Sequence, residues 1–161
     1  MEYRIGYGYD LHPFADDRAC IIGGVTIPYD KGLKGHSDAD VLLHAIADAF
    51  LGALALGDIG KYFPDNDPSW KNADSKNLLG QVYKMIVSRG WELQNLDTTV
   101  IAEAPKMRPY IDDIRQAIAG ILQTGADRIS VKATTSEKLG FLGRGEGIAV
   151  HAIVLIKSKD N

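Results

Sequence analysis

The chain has little cysteine and no excess of positive charge. Cys20 is the single cysteine among 161 residues, so an internal disulfide and a thiolate metal site are excluded, and a reducing compartment is expected. The 18 Lys and Arg residues are scattered among 21 Asp and Glu residues, which gives a net charge of −3. This balance disfavours a nucleic-acid-binding protein, because binding to the phosphate backbone requires clustered basic residues. Any polyanionic ligand must therefore be neutralised locally.

The chain also lacks a long hydrophobic run. Its longest apolar stretch, residues 45–56, is interrupted by Asp48 and is far shorter than the ~20 residues that cross a bilayer. The first residues lead directly into a strand-like pattern, without a signal peptide or a Ser- and Arg-rich transit peptide. We therefore predict a cytoplasmic protein without a membrane partner. A length of 161 residues with 45% hydrophobic side chains is typical of one globular domain.

Alternating patterns predict four main strands and one hairpin. Large side chains alternate with small or polar ones over residues 3–9, as in a strand with one buried face. Gly6 and Gly8 leave room on the second face for another backbone or a ligand. Residues 20–27 predict a hairpin that turns at Gly23 and Gly24, and further strands are predicted over residues 97–102, 129–133 and 148–156.

Three helices are predicted between the strands. The first runs to residue 56, with Ser37 or Asp38 as its N-cap and Gly57 as its end. The second covers residues 75–89, and the third begins at Pro109 and ends before Gly125. This order predicts an α+β fold: a single domain with a mixed sheet of about four main strands, three helices packed on one face, and a small β-hairpin. Residues 1–157 form the domain and residues 158–161 a polar C-terminal tail.

Three residues form a candidate metal site. Asp10 and His12 are two apart at the end of a strand, so their side chains point to the same face, and His44 lies on the following helix. One carboxylate and two imidazoles suit zinc, and three protein ligands leave one tetrahedral position open for a substrate oxygen. Alternatively, the residues do not bind a metal: the Asp-x-His pair at positions 10 and 12 occurs by chance, and His44 is a core histidine. Asp40 either orients His44 or serves as a carboxylate at the start of the helix.

Two further segments carry groups that suit phosphates. Residues 132–138 offer three consecutive hydroxyl groups after a strand, and Glu137 is a hard oxygen ligand that could share a magnesium ion with a diphosphate. The glycines of residues 140–147 allow backbone nests for anions, or simply a flexible loop. Residues 104–109 could contact a nucleobase and phosphates, or form a solvated connection. No nucleophile-elbow serine and no reactive cysteine motif is visible, so the sequence favours chemistry by metals and positioning.

Five blocks of sequence resemble one known family. They are Gly-Tyr-Gly-Tyr-Asp-Leu-His at residues 6–12, His-Ser-Asp-Ala-Asp at 36–40, Gly-Asp-Ile-Gly at 57–60 with Phe-Pro-Asp at 63–65, Ala-Pro-Lys-Met at 104–107, and Lys-Ala-Thr-Thr at 132–135 continuing to Gly147. Their order and spacing, from about Tyr3 to Leu155, are similar to those of the 2-C-methyl-D-erythritol 2,4-cyclodiphosphate synthase family.

The resemblance implies a reaction and an assembly. The substrate would be 4-diphosphocytidyl-2-C-methyl-D-erythritol 2-phosphate, and the products would be the cyclic diphosphate and CMP, in the non-mevalonate route to isoprenoids. It also implies a homotrimer with its sheets around the three-fold axis and active sites at subunit interfaces. Asp10, His12 and His44 match the zinc ligands, and Glu137 matches the ligand of a second divalent ion, magnesium or manganese. His36 and Thr135 match residues credited with transition-state stabilisation.

The resemblance also implies substrate contacts. The methylerythritol phosphate part is matched by Ser37, Asp58, Ile59, Gly60, Phe63, Pro64, Asp65, Asn66 and Asp67. The cytidine diphosphate pocket is matched by Ala102, Glu103, Ala104, Pro105, Lys106, Met107, Arg108, Thr134, Thr135, Ser136 and Glu137, with Phe141 and Arg144 also in the contact pattern. Asp10, Leu11, His12 and His36 complete the predicted substrate-binding set.

The sequence departs from the family pattern at two positions, and the residues also allow two alternative functions. Ser136 stands where threonine is common and keeps the hydroxyl. His151 stands where some members have an acidic residue, near a central cavity in which Arg144 would contact an isoprenoid diphosphate. The alternatives are a zinc-dependent phosphohydrolase acting on a nucleotide diphosphate and a non-catalytic nucleotide-binding trimer. A bacterial cytosol is expected, and a plastid only if a transit peptide has been removed.

Overall fold

A computed structural model describes residues 1–159. Its strands are β1 (Tyr3–Ala15), β2 (Cys20–Ile22), β3 (Val25–Ile27), β4 (Gly32–Leu33), β5 (Trp91–Ile101), β6 (Ile129–Thr134) and β7 (Gly147–Ser158). Its helices are α1 (Val41–Ala53), α2 (Ile59–Tyr62), α3 (Ser75–Ser88), α4 (Ile111–Leu122) and α5 (Gly140–Gly143). Short 3₁₀ turns lie at Pro68–Trp70, Arg108–Tyr110 and Ala126–Arg128. None of the helices in this part of the chain is long and apolar enough to span a membrane.

The strands form one mixed sheet and one separate hairpin. The sheet order is β4-β1-β7-β5-β6, in which β5 and β6 are parallel and the other neighbours are antiparallel. Strands β2 and β3 pair only with each other, and Gly23 and Gly24 between them both have positive φ, as a primed turn requires. The predicted α+β architecture is confirmed, with the two-residue β4 as an additional edge strand.

The helices cover one face of the sheet, and two glycines set how closely α1 approaches it. A Cβ at Gly6 would lie 1.8 Å from the carbonyl oxygen of Ala49, and a Cβ at Gly8 would lie 1.9 Å from that of Ala45. Only glycine therefore allows β1 to contact the backbone of α1 at these positions, as the sequence predicted. The core lies between the sheet and the helices α1, α3 and α4.

The opposite face of β1 is open in the single chain. Its large side chains, Tyr3, Ile5, Tyr7 and Tyr9, are 43–71% exposed. The strand does have one buried face, but that face carries the small residues Gly6 and Gly8. An exposed apolar sheet face of this kind is typical of an interaction surface.

Several predicted boundaries were wrong. Helix α1 begins at Val41 with Asp40 as its N-cap, in place of Ser37 or Asp38. It ends at Ala53 because Ala55 adopts a left-handed conformation, and the N–H of Leu56 donates to the carbonyl of Leu51. Strand β5 begins at Trp91, six residues before the predicted start, and the short helices α2 and α5 lie in segments for which no helix was predicted.

The predicted C-terminal boundary of the domain lies close to the end of the last strand. Strand β7 runs to Ser158, the first residue of the predicted polar tail, where the backbone N–H donates to the carbonyl of Glu2. Residues 160–161 of that tail lie outside the described residues. The division of the chain at residue 157 stays a prediction.

Candidate metal centre and ligand-binding site

Strand β1 and helix α1 bring three candidate metal ligands together. Nε2 of His12 lies 2.8 Å from Oδ2 of Asp10, and Nδ1 of His44 lies 3.2 Å from the same oxygen. The two imidazole nitrogens are 3.3 Å apart, and one ligand atom from each residue lies within 4.8 Å of the others. The contact of α1 with Gly8 places His44, next to Ala45, over Asp10 and His12. These two residues lie within β1, which continues to Ala15, and not at a strand end as predicted. The predicted convergence of Asp10, His12 and His44 is confirmed.

The other nitrogen of each imidazole is engaged outside the cluster. Nδ1 of His12 lies 2.7 Å from the carbonyl oxygen of Lys34, which can only accept, so Nδ1–H donates. In the neutral ring the lone pair is therefore on Nε2, the atom that faces Asp10. Nε2 of His44 lies 2.8 Å from Oγ of Ser75 and 3.2 Å from Oγ of Ser37. Both rings therefore direct a nitrogen into the cluster, as metal-binding histidines do.

The electrostatics of the cluster favour a bound cation. Burial alone would raise the pKa of Asp10, but hydrogen bonds with His12 and His44 outweigh it and hold the pKa below its usual range. Burial alone would lower the pKa of His12, but the hydrogen bond and the charge of Asp10 outweigh it and raise the pKa. The three groups thus stabilise positive charge between them. This chemistry fits a divalent ion such as zinc.

Asp40 does not orient His44. Its Oδ1 accepts from the N–H groups of Leu43 and Gly23 at 3.1 and 2.9 Å, and its Oδ2 accepts from that of Gly24 at 2.7 Å. It therefore caps α1 and ties the helix to the β2–β3 turn. Of its two possible roles, that of a carboxylate at the helix start is the one observed.

A cavity of about 210 Å³ opens beside the candidate metal ligands. Residues from the predicted substrate-binding set line much of it: Asp10, His12, His36, Ser37, Ile59, Gly60, Phe63 and Asp65. His44 lines it too, together with three residues that were not predicted, Gly35, Trp70 and Leu78. The ring of Phe63 meets that of Trp70 edge to face at 4.8 Å, which gives the cavity an apolar wall.

The remaining predicted residues of this region lie around the cavity. The side chain of Asp58 accepts from the N–H of Lys61 and caps α2. Asp67 accepts from the N–H and the hydroxyl of Ser69, and its carbonyl oxygen lies 3.3 Å from Nε2 of His36. Pro64 and Asn66 belong to the connection between α2 and the following 3₁₀ turn. The N–H of Leu11 donates to Oδ1 of Asp10.

A second cluster forms where the parallel strands β5 and β6 end. The N–H of Ala102 donates to the carbonyl of Thr134 at 3.0 Å, and Oε1 of Glu103 accepts from the N–H groups of Ser136 and Lys138 at 3.1 and 3.0 Å. Glu103 therefore fixes the loop that carries Glu137, whose side chain is exposed. These contacts join the two segments predicted for the cytidine diphosphate: Ala102, Glu103, Ala104, Pro105, Lys106, Met107 and Arg108 with Thr134, Thr135, Ser136 and Glu137.

Phe141 and Arg144 lie beyond that loop, in α5 and just after it. The guanidinium of Arg144 donates from Nε to Oε1 of Glu146 at 2.8 Å. His151 is on the open face of the sheet, where its Nδ1 lies 2.8 Å from the hydroxyl of Tyr7. Their predicted contacts with a ligand stay predictions.

Within a single chain, the metal-ligand cluster and the cluster at the ends of β5 and β6 lie far apart. Asp10 is opposite Val150 on β7, which is opposite Val100 on β5, which is beside Ala133 on β6. Three strand spacings separate the ends of this row, about 14 Å at the usual distance between strands. Among the described residues that line the cavity, none comes from residues 102–108 or 134–144. The residues predicted for one active site therefore form two halves.

Two supporting residues were not identified from the sequence. Ser75, at the start of α3, contacts His44, and Arg18 donates to the carbonyl oxygens of Gly35 and Ser37 at 2.8 and 2.6 Å, on either side of His36. In the sequence, a serine before a helix indicates only a cap, and an arginine in a polar loop indicates only solvation. Both contacts depend on tertiary structure.

Comparisons with known proteins agree on one family. The YgbB family model matches residues 3–157. A curated protein of Bacillus cytotoxicus named 2-C-methyl-D-erythritol 2,4-cyclodiphosphate synthase is 60% identical over 157 residues, which are 98% of this chain and 99% of that protein. The solved structure of the bifunctional IspDF from Campylobacter jejuni is similar with a TM-score of 0.95 and 46% identity, covering 99% of this chain and 43% of that one. A CDP complex of IspF from Plasmodium falciparum has a TM-score of 0.86 and 34% identity, covering 98% of this chain and 97% of that one.

Proposed function

Because the chain belongs to the YgbB family, we propose that it catalyses the reaction for which its curated relatives are named. This is the cyclisation of 4-diphosphocytidyl-2-C-methyl-D-erythritol 2-phosphate to 2-C-methyl-D-erythritol 2,4-cyclodiphosphate with release of CMP, a phosphorus–oxygen lyase step of isoprenoid synthesis. The observation that carries the proposal is the Asp10, His12 and His44 cluster at the edge of a cavity, in a chain 60% identical to such synthases.

The reaction is an intramolecular phosphoryl transfer. An oxygen of the 2-phosphate attacks the β-phosphorus, the bond from that phosphorus to the bridging oxygen of the α-phosphate breaks, and CMP leaves with that oxygen. Nucleophile and electrophile belong to one flexible molecule, and both are anionic. The protein must therefore fold the substrate and hold two phosphates together. Positioning of this kind can supply up to ~7–11 kcal/mol of the barrier.

The cluster and Glu137 would hold the divalent ions. Asp10, His12 and His44 suit zinc, and Glu137 on its exposed loop suits magnesium or manganese. When bound, these ions supply positive charge that offsets the repulsion between the phosphates.

The protein's own residues then position the substrate. Ser37 and His36 border the cavity, where a hydroxyl and an imidazole N–H donate to phosphate oxygens. Thr135 offers a hydroxyl from the second half, and Lys106 and Arg108 add positive charge near the cytidine diphosphate. The Phe63 and Trp70 wall excludes water from the methylerythritol side, which favours cyclisation over hydrolysis.

A homotrimer completes the site. The supporting observations are the separation of the two halves on one chain and the open sheet face, where Ile153 lies opposite Tyr7 and is 49% exposed. Burying this face between sheets around a three-fold axis would bring the metal half of one subunit beside the nucleotide half of another. A central cavity at that axis, with Arg144 and His151 nearby, is where an isoprenoid diphosphate would bind. We place this enzyme in a bacterial cytosol, as for an enzyme with relatives in Bacillus.

Loss of a metal ligand tests the proposal. Asp10→Asn and His44→Ala are each expected to lose bound zinc and CMP release together, by a factor of at least about 100, because the remaining two ligands hold zinc weakly. Metal content by atomic emission and CMP by chromatography measure the two effects. Asp16→Asn, at an exposed aspartate just after β1, is the matched control and should retain both. Full turnover by metal-free wild-type protein would contradict the proposal.

A further inference from the structure

His44 is held by a chain of two side chains behind it. Its Nε2, the nitrogen that points away from Asp10, lies 2.8 Å from Oγ of Ser75, a side chain with 0% exposure at the first position of α3. The hydroxyl of Ser75 is in turn in close contact with Oδ1 of Asp38. Oδ2 of Asp38 accepts from the backbone N–H of Ser75 at 3.1 Å. The carboxylate thus holds Ser75 by both its hydroxyl and its amide.

The direction of these hydrogen bonds fixes the tautomer of His44. An ionised carboxylate only accepts, so the Ser75 O–H donates to Asp38. The oxygen of Ser75 is then left as an acceptor, and His44 must donate to it from Nε2–H. In the neutral ring the lone pair of His44 is consequently on Nδ1, the atom that faces Asp10 and His12. That is the protonation state a metal ligand requires.

We propose that Asp38 and Ser75 are positioning residues for the metal ligand His44. They set its tautomer and the rotation of its ring, and they touch neither the metal position nor the cavity. The inference rests on the metal centre of the proposed function. Outer groups of this kind typically account for 10–100-fold in metal affinity.

The two histidines of the cluster differ in how they are held. His12 donates to the backbone carbonyl of Lys34, which no side-chain substitution removes. His44 depends on side chains for the hydrogen bond from its Nε2. Its other neighbour, Ser37, is a poorer acceptor than Ser75. Oγ of Ser37 is 3.2 Å from Nε2 and already accepts from the N–H of Ala39. Removing the Ser75 hydroxyl therefore leaves the ring of His44 only a long, shared hydrogen bond.

The side-chain relay from Asp38 to His44 is anchored by backbone hydrogen bonds between segments that are distant in sequence. The N–H of Asp38 donates to the carbonyl of Ala73, and the N–H of Asn72 donates to the carbonyl of His36. These bonds keep the segment with Asp38 fixed against the start of α3. The relay from Asp38 through Ser75 to His44 is therefore built on rigid backbone, as precise orientation of a ligand requires.

Zinc affinity of the full-length protein tests the proposal. Competition against a chromophoric chelator should show Ser75→Ala binding zinc about 10–100-fold more weakly than the wild type. Asp38→Asn should lose less, because the amide oxygen still accepts from the Ser75 hydroxyl. Asp74→Ala is the matched control: it removes the N-cap of α3, a hydrogen bond to the N–H of Lys76, without touching His44. It should lower the melting temperature and leave zinc affinity unchanged.

The tautomer provides a second measurement on the unmodified protein. Long-range ¹⁵N–¹H spectra of metal-free wild type, at a pH where imidazoles are neutral, should show the His44 proton on Nε2. A proton on Nδ1 would overturn the proposal, as would a folded Ser75→Ala protein that binds zinc like the wild type, or equal losses in Ser75→Ala and Asp74→Ala. If wild-type protein bound no zinc, the metal centre of the proposed function would fail, and the tautomer would still decide whether the relay acts on His44.

Discussion

At the scale of single residues, two glycines, Gly6 and Gly8, decide whether the candidate metal ligands meet. Asp10 and His12 are on β1 and His44 is on α1, so the cluster exists only because these elements contact each other through their backbones. Gly8 is the position closest to the ligands. The chemistry of the site thus depends on a residue that takes no part in it.

Gly8→Ala is expected to destabilise the protein by about 3 kcal/mol or more, because its Cβ would lie 1.9 Å from the carbonyl oxygen of Ala45 and push α1 off the sheet. Zinc affinity should fall in the same variant, since His44 moves with the helix. Urea unfolding and chelator competition measure the two effects. A Gly8→Ala protein with wild-type stability would show that the close packing is wrong.

Gly52→Ala is the matched control at the same interface. Its Cβ would meet nothing closer than the carbonyl oxygen of Tyr7 at 3.7 Å, an ordinary contact. Alanine is favoured over glycine inside a helix by up to about 1 kcal/mol, so this variant should be slightly more stable than the wild type.

The sequence predicted the convergence of the three candidate metal ligands but not the residues that support them. Spacing places Asp10 and His12 on one face of a strand, and an imidazole on the next helix completes the donor set. Ser75 could not be identified in this way, because its contact with His44 joins residues 31 apart through tertiary packing. The same holds for Arg18, whose bonds flank His36.

At the scale of elements, Asp40 joins α1 to the β2–β3 hairpin, and burial of its charged carboxylate reduces the stability of the fold. Burial raises the pKa of Asp40 to about 6 and the charge of Asp38 adds to the rise, whereas the N–H groups of Gly24, Leu43 and Gly23 oppose it. The folded protein therefore binds this proton more tightly than the unfolded chain does. The resulting stability is fully present below about pH 4 and is lost as the pH rises through about 6.

Asp40→Asn tests this effect. The wild type should lose stability relative to Asp40→Asn by up to about 3 kcal/mol between pH 4 and pH 7, because only the wild type must bury a charge. Urea unfolding at several pH values measures the difference. A difference that stays constant over this range would contradict the raised pKa of Asp40.

The start of α1 shows why element boundaries were harder to predict than elements. Ser37, Asp38 and Asp40 are all good N-cap residues, and the sequence alone does not choose between them. The structure uses all three differently: Asp40 caps the helix, Asp38 holds Ser75, and Ser37 lines the cavity. Long periodic helices such as α3 were predicted to within one residue, because their apolar face fixes their extent.

At the scale of the whole molecule, the proposed function requires a neighbouring copy, because the residues predicted for the active site form two separate halves on one chain. The fold itself followed from the sequence, since alternating and helical periodicities determine a layered α+β domain. The separation of the predicted site residues into two halves did not follow from the sequence. It depends on which strands lie between Asp10 and Ala133 in the sheet. The exposed sheet face is the surface through which a second copy would complete the site.

Mixed oligomers test the shared site. Co-expressed His44→Ala and Glu137→Gln subunits should regain up to about a quarter of wild-type activity, because random assembly joins two intact halves at about one interface in four. His44→Ala mixed with Asp10→Asn is the matched control and should stay inactive, since both defects lie in the same half. Mixed oligomers that form without regaining activity would show that each chain carries a whole site.

Phosphorus NMR of the reaction mixture distinguishes the proposed cyclisation from the alternative reactions. The protein, with zinc and magnesium, is incubated with 4-diphosphocytidyl-2-C-methyl-D-erythritol 2-phosphate and the products are followed over time. Signals of the cyclic diphosphate and of CMP are expected to appear together in equal amounts. Open-chain phosphates would instead indicate a metal-dependent phosphohydrolase, and an unchanged spectrum would indicate a nucleotide-binding protein without this activity. Either result would contradict the proposed cyclisation.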